Sequence, residues 1–413
     1  MDNCIESYRA IAGSEAVDQL CQISQPLQGK TLTHVNSTYE GGGVAEILSK
    51  MVPLSNSLGI ETKWEVIEGE NGFFQCTKNM HNALQGKRVL ITPSQIHHFE
   101  ETTKRNAERL HDVLQNSDVV IVHDPQPIGL IEHFPERKGK WIWRCHIDAS
   151  KPFWPVWKYI RDFANQYDAV VFSLVEFAHS LKKPMFIIPP SIDPLSEKNI
   201  ELPDDEIIRT LEQFSIDIER PKMIQVSRFD RFKDPLGVIQ SYILAKRFNP
   251  RIQLILAGGG ASDDPEGEQV LDEVKQAAAD DEDIHILSLP PDSHRTINAL
   301  QRASDIVIQK SVKEGFGLTV TEALWKARPV IAGNVGGIRL QVINKHTGFV
   351  VHTPEGAAYR ARYLLQNKVV GEEMGKKGKE YVREQFLLTR HLRDYLGIVY
   401  SLMFGEADRI ELP

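Results

Sequence analysis

Runs that read as strands alternate with runs that read as helices along almost the whole chain, and no other feature constrains the fold as strongly. A strand, a crossover helix and a parallel strand bury both faces of a sheet, so such strands read as short continuous apolar runs. Thr31 to Val35 is the first; it leads through Gly41-Gly42-Gly43 into an amphipathic helix from Val44 to about Leu58, and Lys63 to Ile67 follows. Asp118 to Val122, Trp141 to Trp143 and Ala169 to Phe172 continue the series, with a polar helix between Pro93 and Gln115 packed outside the sheet. The pattern breaks at Pro189 to Pro194 and the polar stretch after it, which suits a hinge. It restarts at Met223 to Val226, with further strands at Gln253 to Ala257, Ile284 to Leu287, Ile306 to Gln309 and Pro329 to Ile331.

A chain of 413 residues exceeds one ordinary core. The predicted fold is therefore α/β, with two doubly wound, Rossmann-like domains facing an interdomain cleft. Residues 1–215 form the first domain, completed by a C-terminal helix at about 391–413, and residues 216–390 form the second. A formal net charge of −8 argues against nucleic acid or an anionic membrane as a partner. The amino terminus has no basic segment leading into an apolar one, and no run of about 18 apolar residues occurs, so a cytoplasmic location is expected. Cys4, Cys21, Cys76 and Cys145 are scattered without a Cys-x-x-Cys pair, which signals neither a disulfide framework nor a zinc site.

Glu314-Gly-Phe-Gly-Leu-Thr-Val-Thr-Glu322 sets two carboxylates around a glycine-rich turn between a strand and a helix. Gly315, Phe316, Gly317 and Leu318 form the helix entry, whose N–H groups can hold an anion. Glu314 and Glu322 can accept hydrogen bonds from neighbouring hydroxyls, an arrangement that suits a sugar nucleotide. The plain alternative is a structural turn, with Glu314 favouring the helix dipole and Glu322 a solvated surface acid. Arg228 and Lys233 follow the first strand of the second domain, at the end of a parallel sheet where ligands bind, and read as a diphosphate clamp. Gly42 and Gly43 permit close backbone approach to a phosphate or sugar, or simply make a tight turn. His146 ends a strand and is either a donor to a sugar hydroxyl or a structural histidine. Asp124 and Gln126 end another, as hydroxyl-recognising groups or as a capped turn. Gly258 to Gly260 reads as a loop, and the acidic run Asp280 to Asp283 as a solvated one.

Together these residues resemble the retaining glycosyltransferases of the glycogen-synthase-like superfamily, which have the GT-B fold. More narrowly, His34 to Thr38, Gly41 to Glu46, Val122 to Pro127, Trp141 to Asp148 and Pro189 to Asn199 are similar to the trehalose glycosyltransferring synthases, with the retaining trehalose phosphorylases of fungi as close relatives. The resemblance implies transfer of glucose from ADP-, UDP- or GDP-glucose to glucose, giving α,α-trehalose with the anomeric configuration kept. It implies that Glu322 holds the donor ribose, Glu314 the glucose hydroxyls, and Arg228 and Lys233 the leaving diphosphate. Gly315 to Leu318, Gly42 and Gly43 would contact hydroxyls or phosphates, His146 the transferred glucose, and Asp124 and Gln126 the acceptor. No cofactor is required and no metal site is read, although stimulation by Mg2+ is compatible with the scheme. The expected partners are small molecules (nucleoside-diphosphate glucose, glucose and trehalose), with a homodimer left open. The rival readings are phosphorolysis of trehalose, another acceptor such as sucrose, a glycan or a lipid, a nicotinamide oxidoreductase with an incomplete glycine fingerprint, and a non-catalytic sugar-nucleotide sensor.

Overall fold

The structure is a computed structural model and describes residues 3–40, 42–259, 265–279 and 281–405. The chain divides into two compact units, Met1–Pro190 with Leu388–Pro413, and Ser191–Leu387. Gly41, Gly260, Asp280 and the end of the tail from 406 onward lie outside the described residues.

The first unit holds β1 (Thr31–Asn36), β2 (Glu61–Val66), β3 (Val119–His123), β4 (Lys140–Cys145), β5 (Ala169–Phe172) and β6 (Met185–Ile187). They form one parallel sheet in the order β2-β1-β3-β4-β5-β6. Helices Gly42–Ser57, Asn71–Leu84, Pro93–Arg109 and Trp154–Ala164 form most of the crossovers. Because both faces are covered, β3 and β5 are buried at every residue, and Trp141, Trp143 and Trp157 are fully buried. Pro93–Arg109 carries a capping box, Thr92 Oγ1 accepting from the Gln95 N–H while Gln95 Oε1 accepts from the Thr92 N–H. β6 was not among the predicted strands. It is three residues long and part-exposed at the sheet edge, so its apolar run is too short to stand out.

The second unit holds β7 (Lys222–Val226), β8 (Gln253–Gly258), β9 (Ile284–Ser288), β10 (Ile306–Gln309), β11 (Val330–Gly333) and β12 (Gly348–Val351). This sheet is also parallel, in the order β12-β11-β10-β7-β8-β9. That is the Rossmann strand order, and the direction of winding reverses between β7 and β10. Met223, Val238, Leu254, Ile306 and Ile331 lie in one buried apolar cluster.

The predicted boundary lies at 215/216, whereas the two compact units divide at 190/191. Helix Asp204–Gln213 packs on helix His294–Ala303, where Arg295 holds Glu206 at 2.6 Å and Asn298 Nδ2 donates to the carbonyls of Glu197 and Ile200 at 2.9 Å each. These partners lie about 100 positions downstream, so a composition break does not reveal them. The return to the first unit begins at Leu388 rather than about 391, in helix Leu388–Phe404. Arg390 Nη2 donates to Pro189 O at 2.8 Å and Arg393 Nη1 to Gln19 Oε1 at 2.8 Å, which anchors this helix to the first unit.

Candidate active site

In the second unit, the loops after β7 and β10 leave the sheet on either side of the strand-order reversal. Open α/β sheets bind ligands at that place, beyond the carboxyl ends of the strands. Lys233 ends a short 3-10 turn, Arg231–Lys233, entered through Asp230, whose Oδ1 accepts the Phe232 N–H at 2.7 Å. The two loops are tied together, since the Val312 N–H donates to Phe232 O at 2.8 Å. Lys233 forms an ion pair with Glu314, with only 18% and 10% of the two side chains exposed. Ser311 Oγ also donates to Glu314 Oε2 at 3.4 Å. The ammonium has three donors, so the pair with Glu314 leaves capacity for a second anion. Arg228, read beside Lys233 as one clamp, is instead paired with Asp230 at 3.1 Å and is 59% exposed.

Two charged groups at this end were missed by sequence reasoning. Lys310, 7% exposed just after β10, is ion-paired with Asp234. Asp234 has a left-handed backbone, φ 51°, and caps helix Pro235–Lys246 by accepting the Gly237 N–H at 3.1 Å. The pair spans 76 positions, and only an Asp-Pro step at a helix start could have hinted at the cap.

Gly315, Phe316 and Gly317 lead into helix Leu318–Trp325, with Gly317 as its N-cap at φ 84°. A Cβ at Gly317 would lie 3.2 Å from Glu314 Cγ, and one at Gly336 would lie 1.6 Å from Glu314 O. The Gly337 N–H donates to Gly315 O at 3.0 Å, and Gln341 Nε2 to Phe316 O at 2.6 Å. The turn at Gly336-Gly337 therefore fixes the backbone around Glu314. Its signal in the sequence was a second glycine pair after an apolar run. Glu322 is 2% exposed, so it is not the solvated surface acid of the plain alternative. Its carboxylate lies 3.9 Å from Lys198 Nζ, and Lys326 Nζ donates to Glu322 O at 3.1 Å and Asn199 Oδ1 at 3.3 Å. Burial pushes the Lys326 ammonium well down.

In the first unit, the strand order reverses between β1 and β3, and the candidate residues follow β1, β3 and β4. Gly42 opens helix Gly42–Ser57 at φ 81°, with Gly43 in its first turn. That backbone favours glycine, whereas a Cβ there meets nothing within 4 Å. Asp124 sits in the left-handed region at φ 64°, and its Oδ1 accepts the His146 N–H at 2.7 Å. Gln126 Oε1 is buried with no partner among the described residues. His146 Nε2 lies 2.9 Å from His123 Nδ1, and His123 Nε2 lies 2.9 Å from His34 Nδ1. Arg144 is fully buried beside them, with Nη2 donating to Ser173 Oγ at 3.0 Å and Ile188 O at 2.8 Å.

Burial raises the Asp124 carboxyl from 3.8 to about 6, against the opposing pull of the His146 N–H and the Arg144 charge. The folded state then keeps a proton that the unfolded chain has already lost, so this group costs stability as pH rises from 3.8 through about 6. Asp124→Asn tolerates the left-handed backbone and keeps an oxygen for the His146 N–H. It is expected to raise Tm at pH 7 but not at pH 4; equal changes at both would show that the carboxyl does not titrate this way.

The family description "Trehalose synthase, N-terminal domain" matches residues 34–179, and "Glycosyl transferases group 1" matches residues 207–383. A trehalose synthase of Thermococcus litoralis is 46% identical over 401 residues, covering 96% of this chain and 97% of that protein. The chain belongs to the trehalose synthase family. A second relative of that name, from Rubrobacter xylanophilus, is 43% identical over 97% of both chains. A trehalose phosphorylase of Pleurotus pulmonarius is more distant, at 26% over 98% of this chain and 62% of that protein. Among solved structures, an α,α-trehalose-phosphate synthase (UDP-forming) from Burkholderia xenovorans in complex with glucose-6-phosphate superposes with a TM-score of 0.72 over 90% of this chain and 100% of that chain, at 11% identity. The fold is GT-B, as the resemblance implied, and this member of the trehalose synthase family is a glycosyltransferase of trehalose-related glycosyl transfer. No described helix is long and apolar enough to cross a membrane.

Proposed function

We propose that the chain transfers glucose from a nucleoside-diphosphate glucose to glucose, forming α,α-trehalose with retention at the anomeric carbon. The observation that carries this reading is the Lys233–Glu314 ion pair at the strand-order reversal of a chain 46% identical to a trehalose synthase. Lys233 and Arg228 meet the charge that develops on the departing diphosphate, where preorganised cations lower the barrier most. Glu314, held in place by Lys233 and Ser311, accepts from hydroxyls of the transferred glucose, and Glu322 accepts from the donor ribose. The N–H groups of Gly315 to Leu318 assist at phosphate or hydroxyl oxygens, as do those of Gly42 and Gly43 in the first unit. His146 donates to the transferred glucose, and Asp124 and Gln126 serve the acceptor. The bond from the anomeric carbon to the β-phosphate oxygen breaks with its electrons on oxygen. The acceptor hydroxyl adds to the same face, and its proton passes to the leaving phosphate. Glu314, paired to a cation and offered to hydroxyls, is not given the nucleophile's part. With two side-chain cations for the diphosphate, no resident cofactor is invoked.

The test incubates the full chain with glucose and ADP-, UDP- or GDP-glucose separately, then identifies the disaccharide and its linkage. The expected product is α,α-trehalose, with turnover persisting in EDTA and Mg2+ at most stimulating it. Trehalose consumed by inorganic phosphate, with release of glucose 1-phosphate and no reaction with any nucleoside-diphosphate glucose, would overturn the reading in favour of phosphorolysis.

A further inference from the structure

Three histidines of the first unit form a hydrogen-bonded chain across neighbouring strands: His34 within β1, His123 at the end of β3, and His146 just after β4. His34 and His123 are 1% and 3% exposed, while His146 is part-exposed. The rings of His34 and His123 stack at 5.2 Å, and those of His123 and His146 at 5.3 Å. Tyr395, from the C-terminal helix, packs edge-on against His34 at 6.4 Å. Such a chain is more than packing, because each nitrogen-to-nitrogen contact must hold one proton and only one.

Both contacts run between a Nδ1 and a Nε2, which couples the three tautomers. Three neutral rings carry three protons. Two occupy the contacts, and the third sits at one end of the chain, on His34 Nε2 or on His146 Nδ1. His34 Nε2 is buried with no hydrogen-bond partner. An N–H there would be an orphaned buried donor, which folded proteins tolerate less readily than a bare acceptor. The third proton therefore belongs on His146 Nδ1, at the part-exposed end. Neutrality follows from the surroundings: the chain runs beside the buried Arg144 guanidinium, and among the described residues no carboxylate hydrogen-bonds to the rings of His34 or His123. Burial accordingly lowers His34 to about 3, and His123 and His146 well below the usual histidine range.

We propose that His34 and His123 are positioning residues that lock His146 as its Nδ1–H tautomer, so that His146 meets the sugar substrate as a hydrogen-bond donor. This rests on the proposed role of His146 toward the transferred glucose. His34 Nδ1–H donates to His123 Nε2, and His123 Nδ1–H donates to His146 Nε2, leaving His146 Nδ1–H as the outward donor.

The test is long-range proton–nitrogen correlation NMR on the full chain labelled at histidine ring nitrogens, assigned with His34→Gln, His123→Phe and His146→Gln. The expected spectrum shows pyrrole-type Nδ1 and pyridine-type Nε2 for all three rings at pH 7. A Nε2-protonated His34 or His123, or a doubly protonated ring, overturns the proposal while leaving the role of His146 intact. In kinetics, His123→Phe removes the donor to His146 Nε2. It is expected to shift His146 toward its Nε2–H form and to lower kcat about tenfold, at the lower end of what losing a supporting partner of a functional histidine costs. Unchanged kcat in His123→Phe beside a crippled His146→Ala overturns the positioning role. Wild-type turnover in His146→Ala instead removes the proposed role of His146, whatever the tautomers are.

Discussion

Lys233→Met is expected to lower kcat/KM for trehalose formation by about 10³-fold, roughly 4 kcal/mol of transition-state stabilisation. Methionine fills a similar volume but offers no donor to a diphosphate that gains charge as its bond to glucose breaks. It also leaves the Glu314 carboxylate, 10% exposed, without its counter-ion, so stability should fall as well. The two consequences separate in the double variant. Glu314→Gln added to Lys233→Met removes the stranded charge and should restore much of the lost Tm, yet it should restore no activity. A double variant that regains turnover would mean that the pair serves the fold and that the diphosphate is met elsewhere. Lys233→Arg is the finer probe. Arginine keeps the charge but replaces a compact ammonium with a planar fork, so it should hold Glu314 and recover only part of kcat.

Steady-state kinetics and thermal unfolding on these variants are the measurements that check this. Lys233 and Glu314 were legible in the sequence separately but not as a pair. Each sits just beyond a strand that its apolar run announced, and ligand-binding residues in parallel sheets cluster at such ends. That β7 and β10 are neighbours, and that the winding reverses between them, is a matter of strand order, which local pattern does not encode. The Lys310–Asp234 pair was invisible for the same reason. The histidines carry the lesson further. His146 read as a lone histidine at a strand end, and His34 and His123 only as parts of family-like segments, and only the register of β1, β3 and β4 joins them. By contrast, most of the buried strands were plain, because a strand covered on both faces is largely apolar, although β12 was not predicted and buried polar residues such as His34 and Arg144 interrupt the pattern. The predicted boundary and the division of the compact units differ because residues 191–215 are mostly polar where they face water and are held to the second unit by ion pairs and carbonyl contacts. Those interactions leave no periodic trace in the sequence.

Gly336→Ala is expected to damage the site although Gly336 itself is not assigned to substrate. Gly336 has φ 46°, and an added Cβ would sit 1.6 Å from Glu314 O and 3.2 Å from Gly315 O. No rotamer relieves the clash, because the obstructing atoms are backbone, so the chain at Glu314 must move by more than an ångström. Displacement of that size at a substrate-positioning group costs about 10²-fold in rate. The left-handed backbone and the overpacking together should remove roughly 3 kcal/mol of stability, on the order of 10 °C in the Tm of the second unit. Gly29→Ala is the matched control: Gly29 has φ 74° but nothing within 4 Å of its Cβ position, and it lies in the first unit. It should lose about 1 kcal/mol to backbone strain alone and keep its kcat. If Gly336→Ala behaved like Gly29→Ala, the Gly336-Gly337 turn would not be what fixes Glu314. If Gly336→Ala lost rate and stability while Gly29→Ala kept its rate, then a glycine pair 22 positions downstream of Glu314 sets where the carboxylate meets the sugar.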